Sequence, residues 1–236
     1  FGLFNLSSGE TADFTSTGST TTISNIISRV TDGQSTIDGT IKSSVSGADF
    51  YFFNPAGIIF NQNATLNLSG SFFVGTADSL KLSDGVQFNA TNPGSGSTLT
   101  SATPSAFGFF DNNIASFNLN GSFAAETTLA VSAGKTLMIS AGDVNLSTRA
   151  VLNAQDGLIK IASVASSGEV SVTGNDITTN SVNQFGKVQL TIGSKLDTRG
   201  FTGGRMVIKA GQLTVSQSQF LATTFGPTSG QGINIE

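Results

Sequence analysis

The sequence predicts an all-β protein, a right-handed parallel β-helix with extra-helical hairpins and loops. Apolar residues alternate with polar ones over short runs such as 65–69 (TLNLS), 143–147 (DVNLS) and 188–192 (VQLTI). Alternate side chains of a strand point to the same face, so each run has one apolar face. Turn-forming Gly, Asn, Asp and Ser separate the runs at roughly six to ten positions, a spacing typical of all-β folds.

A long internal repeat indicates how the strands are arranged. Residues 137–147 (LMISAGDVNLS) recur as residues 206–216 (MVIKAGQLTVS), an offset of 206 − 137 = 69. We interpret 159–163 and 188–190 as weaker copies, which gives steps of 159 − 137 = 22, 188 − 159 = 29 and 206 − 188 = 18. A unit near twenty residues predicts a solenoid of stacked β coils rather than the longer blades of a propeller. The predicted inward ladder consists of Leu137, Ile139, Val144, Leu146, Met206, Ile208, Leu213 and Val215.

We expect one continuous β-helical domain over residues 1–236. An irregular insert is predicted at about residues 92–126, since a Gly/Ser/Pro-rich run at 92–103 is followed by a segment without clear alternation. The polar stretch 173–184 lies within the longest step of the repeat, so we predict that it is a loop extruded from the stack.

Composition excludes several classes of function. Charged residues make up 11% of the 236 residues, and the eleven Lys and Arg are spread thinly over a chain of net charge −4. Nucleic-acid binding needs a concentrated cationic face, which this distribution does not supply. The chain has no Cys and no His, so it lacks thiolate nucleophiles and the commonest general base and metal ligand. We therefore predict no enzyme activity, no cofactor and no metal site.

The acidic residues and the aromatic run each allow two interpretations. The fifteen acids are dispersed, mostly beside Gly or Asn, which favours solvated turn positions over a catalytic carboxylate cluster. Residues 50–53 (FYFF) could form a sugar-stacking surface. Because alternate rings of a strand point to opposite faces, we expect two of them in the core and the other two beneath a hairpin.

The most distinctive segment is 48–60 (ADFYFFNPAGIIF), which predicts a buried strand, a turn and a second buried strand. Asn favours entry into a turn, Pro fixes φ at the next position and Gly admits positive φ. On its own the segment is a tight corner between two core strands. The candidate motif is Asn54, Pro55, Ala56, Gly57 and Ile58.

The context of this turn adds a family resemblance. The accompanying segments, in order, are 4–12 (FNLSSGETA), 26–33 (IISRVTDG), 37–39 (IDG), 70–80 (GSFFVGTADSL) and 162–170 (ASVASSGEV). Together with the turn they resemble the two-partner secretion (TPS) domain of filamentous-haemagglutinin-like exoproteins, most closely that of cyanobacterial and environmental surface adhesins. The NPNGI-type motif of the family maps onto residues 54–58, with Ala56 in place of Asn. A second, NPNL-type turn of the family is absent from the Ser/Thr/Gly run 15–22.

The resemblance implies a secretion-targeting and fold-initiating domain of a large surface adhesin, without enzyme activity. The implied partner is an outer-membrane transporter of the Omp85 type, whose periplasmic POTRA domains bind the chain in an unfolded or extended form. Export through the periplasm and outer membrane of a Gram-negative-type bacterium would place the protein at the cell surface or outside the cell. The resemblance also implies further chain before Phe1 and after Glu236, and contact with a surface glycan or cell-surface target through the rest of the exoprotein. The scattered basic residues and the lack of an apolar run near 20 residues predict no nucleic-acid partner and no membrane span.

Two other functions remain open from the sequence. The β-helix could be the structural unit of an extracellular filament or matrix, because open ends of stacked coils favour end-to-end pairing. It could also be a glycan-binding or glycan-active β-helix, which would require an exposed aromatic row or a carboxylate cluster.

Overall fold

The computed structural model describes residues 1–17, 22–94 and 96–236, and within these ranges the chain forms β-strands and no helix. The strands are β1 (Thr11–Phe14), β2 (Asn25–Arg29), β3 (Ser35–Ile37), β4 (Thr40–Ser43), β5 (Asp49–Phe53), β6 (Ile58–Phe60), β7 (Thr65–Asn67), β8 (Phe72–Gly75), β9 (Ser79–Leu82), β10 (Gln87–Asn89), β11 (Pro104–Phe109), β12 (Phe117–Asn120), β13 (Thr127–Ala130), β14 (Thr136–Ala141), β15 (Val144–Ser147), β16 (Ala150–Asn153), β17 (Leu158–Ser163), β18 (Gly168–Ser171), β19 (Thr179–Asn180), β20 (Lys187–Thr191), β21 (Lys195–Asp197), β22 (Arg205–Lys209), β23 (Gln212–Ser216), β24 (Gln219–Leu221) and β25 (Gly232–Ile235).

Parallel strands stack into three faces of a β-helix, which confirms the predicted fold class. The first face has the order β2-β5-β8-β14-β17-β22-β25, and the second has the order β3-β6-β12-β15-β20-β23. The third face comprises β1-β4-β7 and β13-β16-β21-β24. Across the gap between these two parts, the hydroxyls of Thr127 and Ser132 donate to the backbone oxygens of Gln62 and Leu68 at 2.9 and 3.1 Å.

The register of the first face explains the 69-residue repeat. Leu137 pairs with Ile159, and Ile159 pairs with Met206, so the offset spans two coils of 22 and 206 − 159 = 47 residues. The interpretation of residues 188–190 as a copy on this face was wrong, because Val188 pairs with Val144 on the second face. Inward residues recur at every second position on all three faces. The intervening positions differ, because they are mostly buried on β5, β8, β14 and β17 of the first face and only partly buried or exposed on β15 and β20 of the second.

Inward side chains of the three faces form one apolar cluster that extends from Phe4 to Ile208. Phe50 and Phe52 lie in this core, whereas Tyr51 and Phe53 belong to a second apolar cluster outside the coils. The predicted division of the four rings is thereby confirmed. It follows from the period of two along β5.

The second cluster lies beneath an antiparallel sheet with the order β10-β9-β11-β18-β19, which confirms the extra-helical hairpins. Two excursions build this sheet. The chain leaves the stack after β8 on the first face and rejoins it at β12 on the second face, and it does the same between β17 and β20. The predicted insert 92–126 therefore starts too late and includes stacked strand β12, while residues 173–184 cover only part of the second excursion. The runs 15–22 and 92–103 lie partly outside the described residues.

Candidate functional site

The NPAGI segment forms the corner between β5 on the first face and β6 on the second. The Gly57 N–H donates to the Asn54 carbonyl at 3.1 Å, which closes the turn. The Ala56 N–H donates to Asn54 Oδ1 at 2.9 Å, so the Asn side chain caps the same turn. The Asn54 N–H continues the ladder of the first face by donating to the Gly75 carbonyl at 3.0 Å.

The side chain of Asn54 also ties two coils together. It is fully buried, and its Nδ2 donates to the Gly33 carbonyl and to Ser35 Oγ, each at 2.9 Å. Both acceptors lie on the preceding coil. A buried amide must satisfy its polar atoms within the protein. Few other residues could therefore replace Asn54 at this corner.

Gly57 and Ile58 are equally constrained. Gly57 has φ +107°, a conformation that L side chains rarely adopt, and a Cβ there would lie 2.9 Å from Gln34 Nε2. Its carbonyl accepts from the Ser35 N–H at 3.0 Å. Ile58 is fully buried in the core. Three of the five motif residues are therefore inaccessible in the folded protein, and solvent reaches only the half-buried Pro55 and the exposed Ala56.

The structure places the ladder residues on two faces. Leu137 and Ile139 pair with Phe72 and Val74, while Val144 and Leu146 pair with Phe117 and Leu119. The six buried members are Leu137, Ile139, Val144, Leu146, Met206 and Ile208. Leu213 is only partly buried and Val215 is 42% exposed, because both lie on β23, the last strand of the second face.

Most of the acidic side chains that form hydrogen bonds accept them from backbone or side-chain groups of the fold. The Asp156 carboxylate accepts the backbone N–H groups of Phe201, Thr202 and Gly203 at 3.1, 2.6 and 2.9 Å. Desolvation opposes ionisation of Asp156, but these bonds and that of the Thr202 hydroxyl lower its pKa. Among the described residues, no group of three or more Asp and Glu side chains could hold a metal ion.

Lys160 is a buried cation that the sequence analysis missed. It lies on β17 with its side chain fully buried, and Nζ donates to the carbonyls of Thr173 and Gly174 at 3.2 and 3.3 Å. Burial lowers its pKa to about 8, partly offset by the Asp176 carboxylate. It thus fastens the second excursion to the first face. In the sequence, the feature that could have indicated this buried cation is a single Lys within the apolar run 158–162.

The comparison with protein families decides the assignment. The model of the TPS secretion domain matches residues 1–215 of the chain. The chain belongs to the TPS secretion domain family. The family is one of secretion-targeting domains of two-partner exoproteins rather than of enzymes, and its members are secreted with a partner transporter. Comparisons with curated proteins and with solved structures find no match. No helix among the described residues is long and apolar enough to cross a membrane.

Proposed function

We propose that this TPS domain directs a large surface adhesin to an Omp85-type outer-membrane transporter and then initiates folding of the β-helix at the cell surface. Family membership over residues 1–215 supports the secretion role. The stacked coils support the role in fold initiation, because the edge of each completed coil offers unpaired backbone groups to the next.

The burial of the NPAGI turn is the observation that carries the mechanism. Asn54, Gly57 and Ile58 are enclosed by the neighbouring coils and by the excursion that ends at Ser116. A partner can contact these three side chains only before the coils close. We infer that the POTRA domains bind the chain in an extended state, and that the turn acts after translocation by fixing the corner of its coil.

A binding experiment tests the order of these events. The purified periplasmic POTRA domains of the partner transporter are immobilised, and the chain is applied either folded or freshly diluted from urea. We expect capture of the freshly diluted chain and little capture of the folded chain. Equal capture of both forms would contradict recognition before folding.

Ala56 provides a matched pair of variants that separates recognition from folding. Its side chain is exposed, so Ala56→Asn restores the NPNGI form of the family with little effect on stability, as is usual for surface substitutions. Asn54→Ala changes a buried position in the same turn. If the turn acts through folding, Asn54→Ala lowers stability and export while Ala56→Asn leaves both unchanged. A change in POTRA binding by Ala56→Asn without a change in stability would assign the motif a direct role in recognition.

A filament or matrix unit is the second candidate function. It rests on the last coil, where Val215, Ile233 and Ile235 of β23 and β25 are 42%, 44% and 52% exposed, and this surface can be covered either by a further coil of the same exoprotein or by a second copy. Sedimentation of the purified chain across a range of concentrations tests it. Ordered oligomers that Val215→Lys and Ile235→Lys abolish would support this function, and a monomer at all concentrations would exclude it.

A further inference from the structure

The outer surface of the extra-helical sheet carries a row of polar residues interrupted by a glycine. In the sheet register Asn180 is opposite Glu169, Glu169 is opposite Gly108, and Gly108 is opposite Ser79. Side chains of directly opposed residues lie on the same face of a sheet. The Ser79 hydroxyl occupies the space that a side chain at Gly108 would take, and the surface of Gly108 forms a depression on the side of Glu169 and Asn180.

An aromatic ring borders this depression. Phe110 follows the end of β11 and is 46% exposed, and its Cε1 lies 3.9 Å from the position that a Cβ on Gly108 would take. Its backbone N–H donates to Asp78 Oδ2 at 2.8 Å, which fixes the start of the turn that carries the ring. The ring is thus held at the rim rather than packed into the apolar cluster below.

The resulting pocket has a volume of about 240 Å³ and combines this ring with polar groups. Gln87, Glu169, Asn180 and Ser181 contribute to its lining. Drug-sized ligands occupy cavities of roughly 300–1,000 Å³. A pocket below that range suits a single ring with polar substituents.

The charge of the pocket favours a neutral ligand. Lys81 Nζ contacts Glu169 Oε1 and Oε2 at 2.8 and 3.0 Å, so the one carboxylate of the lining is neutralised by a neighbouring cation. A carboxylate has about four acceptor sites, and two remain after this pairing. The amides of Gln87 and Asn180 add both donors and acceptors. The site therefore offers hydrogen bonds to hydroxyl groups without a net charge.

A buried hydroxyl lies behind Gly108, outside the lining of the pocket. Ser79 is fully buried, and among the described residues its Oγ has no hydrogen-bond partner. This oxygen lies 2.4 Å from the position that a Cβ on Gly108 would take, so a side chain at residue 108 would displace the Ser79 hydroxyl.

We propose that this pocket binds one pyranose unit of a neutral glycan, with the Phe110 ring against an apolar face of the sugar and Glu169, Gln87 and Asn180 bonded to its hydroxyls. Amphipathic recognition of this kind pairs an aromatic surface with a few placed polar groups. The site lies on the excursions, away from the NPAGI turn. Substitutions in the pocket therefore leave the residues of the NPAGI turn unchanged.

NMR titration of the ¹⁵N-labelled chain tests the proposal. The probes are the methyl glycosides of glucose, galactose and mannose, N-acetylglucosamine, and N-acetylneuraminic acid as a charged comparison. We expect at least one neutral sugar to shift the backbone amides of Gly108, Glu169 and Asn180, with a Kd on the order of 1–10 mM. Phe110→Ala should weaken this binding roughly three- to tenfold.

Phe123→Ala is the matched control, because Phe123 is 72% exposed but lies in the corner after β12. It should bind the sugar as the unmodified chain does. If Phe110→Ala shifts the amide signals of the core strands, the variant has altered the fold. Asn180→Ala, on the exposed edge strand, is then used as the pocket variant instead. The proposal is overturned if no neutral sugar shifts these amides at roughly 50 mM, if only the acidic sugar binds, or if the pocket variant binds as tightly as the control.

Discussion

Replacing Asn54 with alanine tests whether the NPAGI turn stabilises the β-helix. The change removes the side chain that donates to Gly33 and Ser35 on the preceding coil and accepts from Ala56 within the turn. Because Asn54 is fully buried, water cannot readily replace all of these contacts. The perturbation is therefore local but affects two coils.

The expected loss follows from the burial of each partner. Ser35 is fully buried, so leaving its hydroxyl unpaired costs about 1–3 kcal/mol. Gly33 and Ala56 are exposed, so water replaces Asn54 there and each lost bond costs about 0.5–1.5 kcal/mol. The total of about 2–6 kcal/mol is a large fraction of the 5–15 kcal/mol that is typical of folded proteins.

Equilibrium unfolding in urea, followed by far-UV circular dichroism, measures this loss. The control is Asn175→Ala, which removes the same side chain from an exposed loop position and should change the stability by less than about 0.5 kcal/mol. The reasoning is refuted if Asn54→Ala and Asn175→Ala have the same urea midpoint.

Three further perturbations address the turn and the two excursions. Gly57→Ala forces a Cβ into φ +107° and should lower the unfolding free energy by about 1–3 kcal/mol in the same urea titration. Arg29 donates to the Asn89 carbonyl at 2.6 Å and lies 4.0 Å from the centre of the Phe88 ring, so Arg29→Met should speed hydrogen exchange in β10 roughly tenfold or more. Burial lowers the pKa of Lys160 from 10.5 to about 8, so the unfolded state binds more protons between these values and stability should rise with pH by roughly 2–3 kcal/mol. Lys160→Met should remove this rise and should stabilise the protein at pH 7.

Each of these predictions has a contradicting result. An unchanged urea midpoint for Gly57→Ala would show that the turn tolerates a side chain. Unchanged hydrogen exchange in β10 would show that the contacts of Arg29 do not hold the first excursion in place. For Lys160 the control is Lys187→Met at an exposed position, and an identical pH dependence in both variants would contradict the assigned cost of burial.

The sequence was sufficient to predict strand faces but not strand neighbours. Alternation along residues 50–53 separates core rings from outer rings, because the period of two is a local property of β5. Which strands share a face depends on how many residues leave the stack between them. The excursion between β17 and β20 lengthens one step of the repeat, and for this reason Val188 was assigned to the wrong face.

At the candidate site, too, local features could be predicted from the sequence but contacts between coils could not. The turn at residues 54–58 could be predicted because Asn, Pro and Gly have local conformational preferences. The burial of Asn54 could not, since its partners Gly33 and Ser35 come from another coil. The pocket beside Phe110 was beyond sequence reasoning for a similar reason, because β11 and β18 come from different excursions.

Export of the Asn54→Ala and Gly57→Ala double variant tests whether the NPAGI turn is needed for the exported chain to fold. The variant and the unmodified chain are expressed with the partner transporter, and folded protein outside the cell is measured by its resistance to protease. We expect a clear decrease for the double variant and an unchanged amount for Ala56→Asn. Equal amounts of folded, exported protein from the double variant and the unmodified chain would show that the turn is dispensable for folding after export.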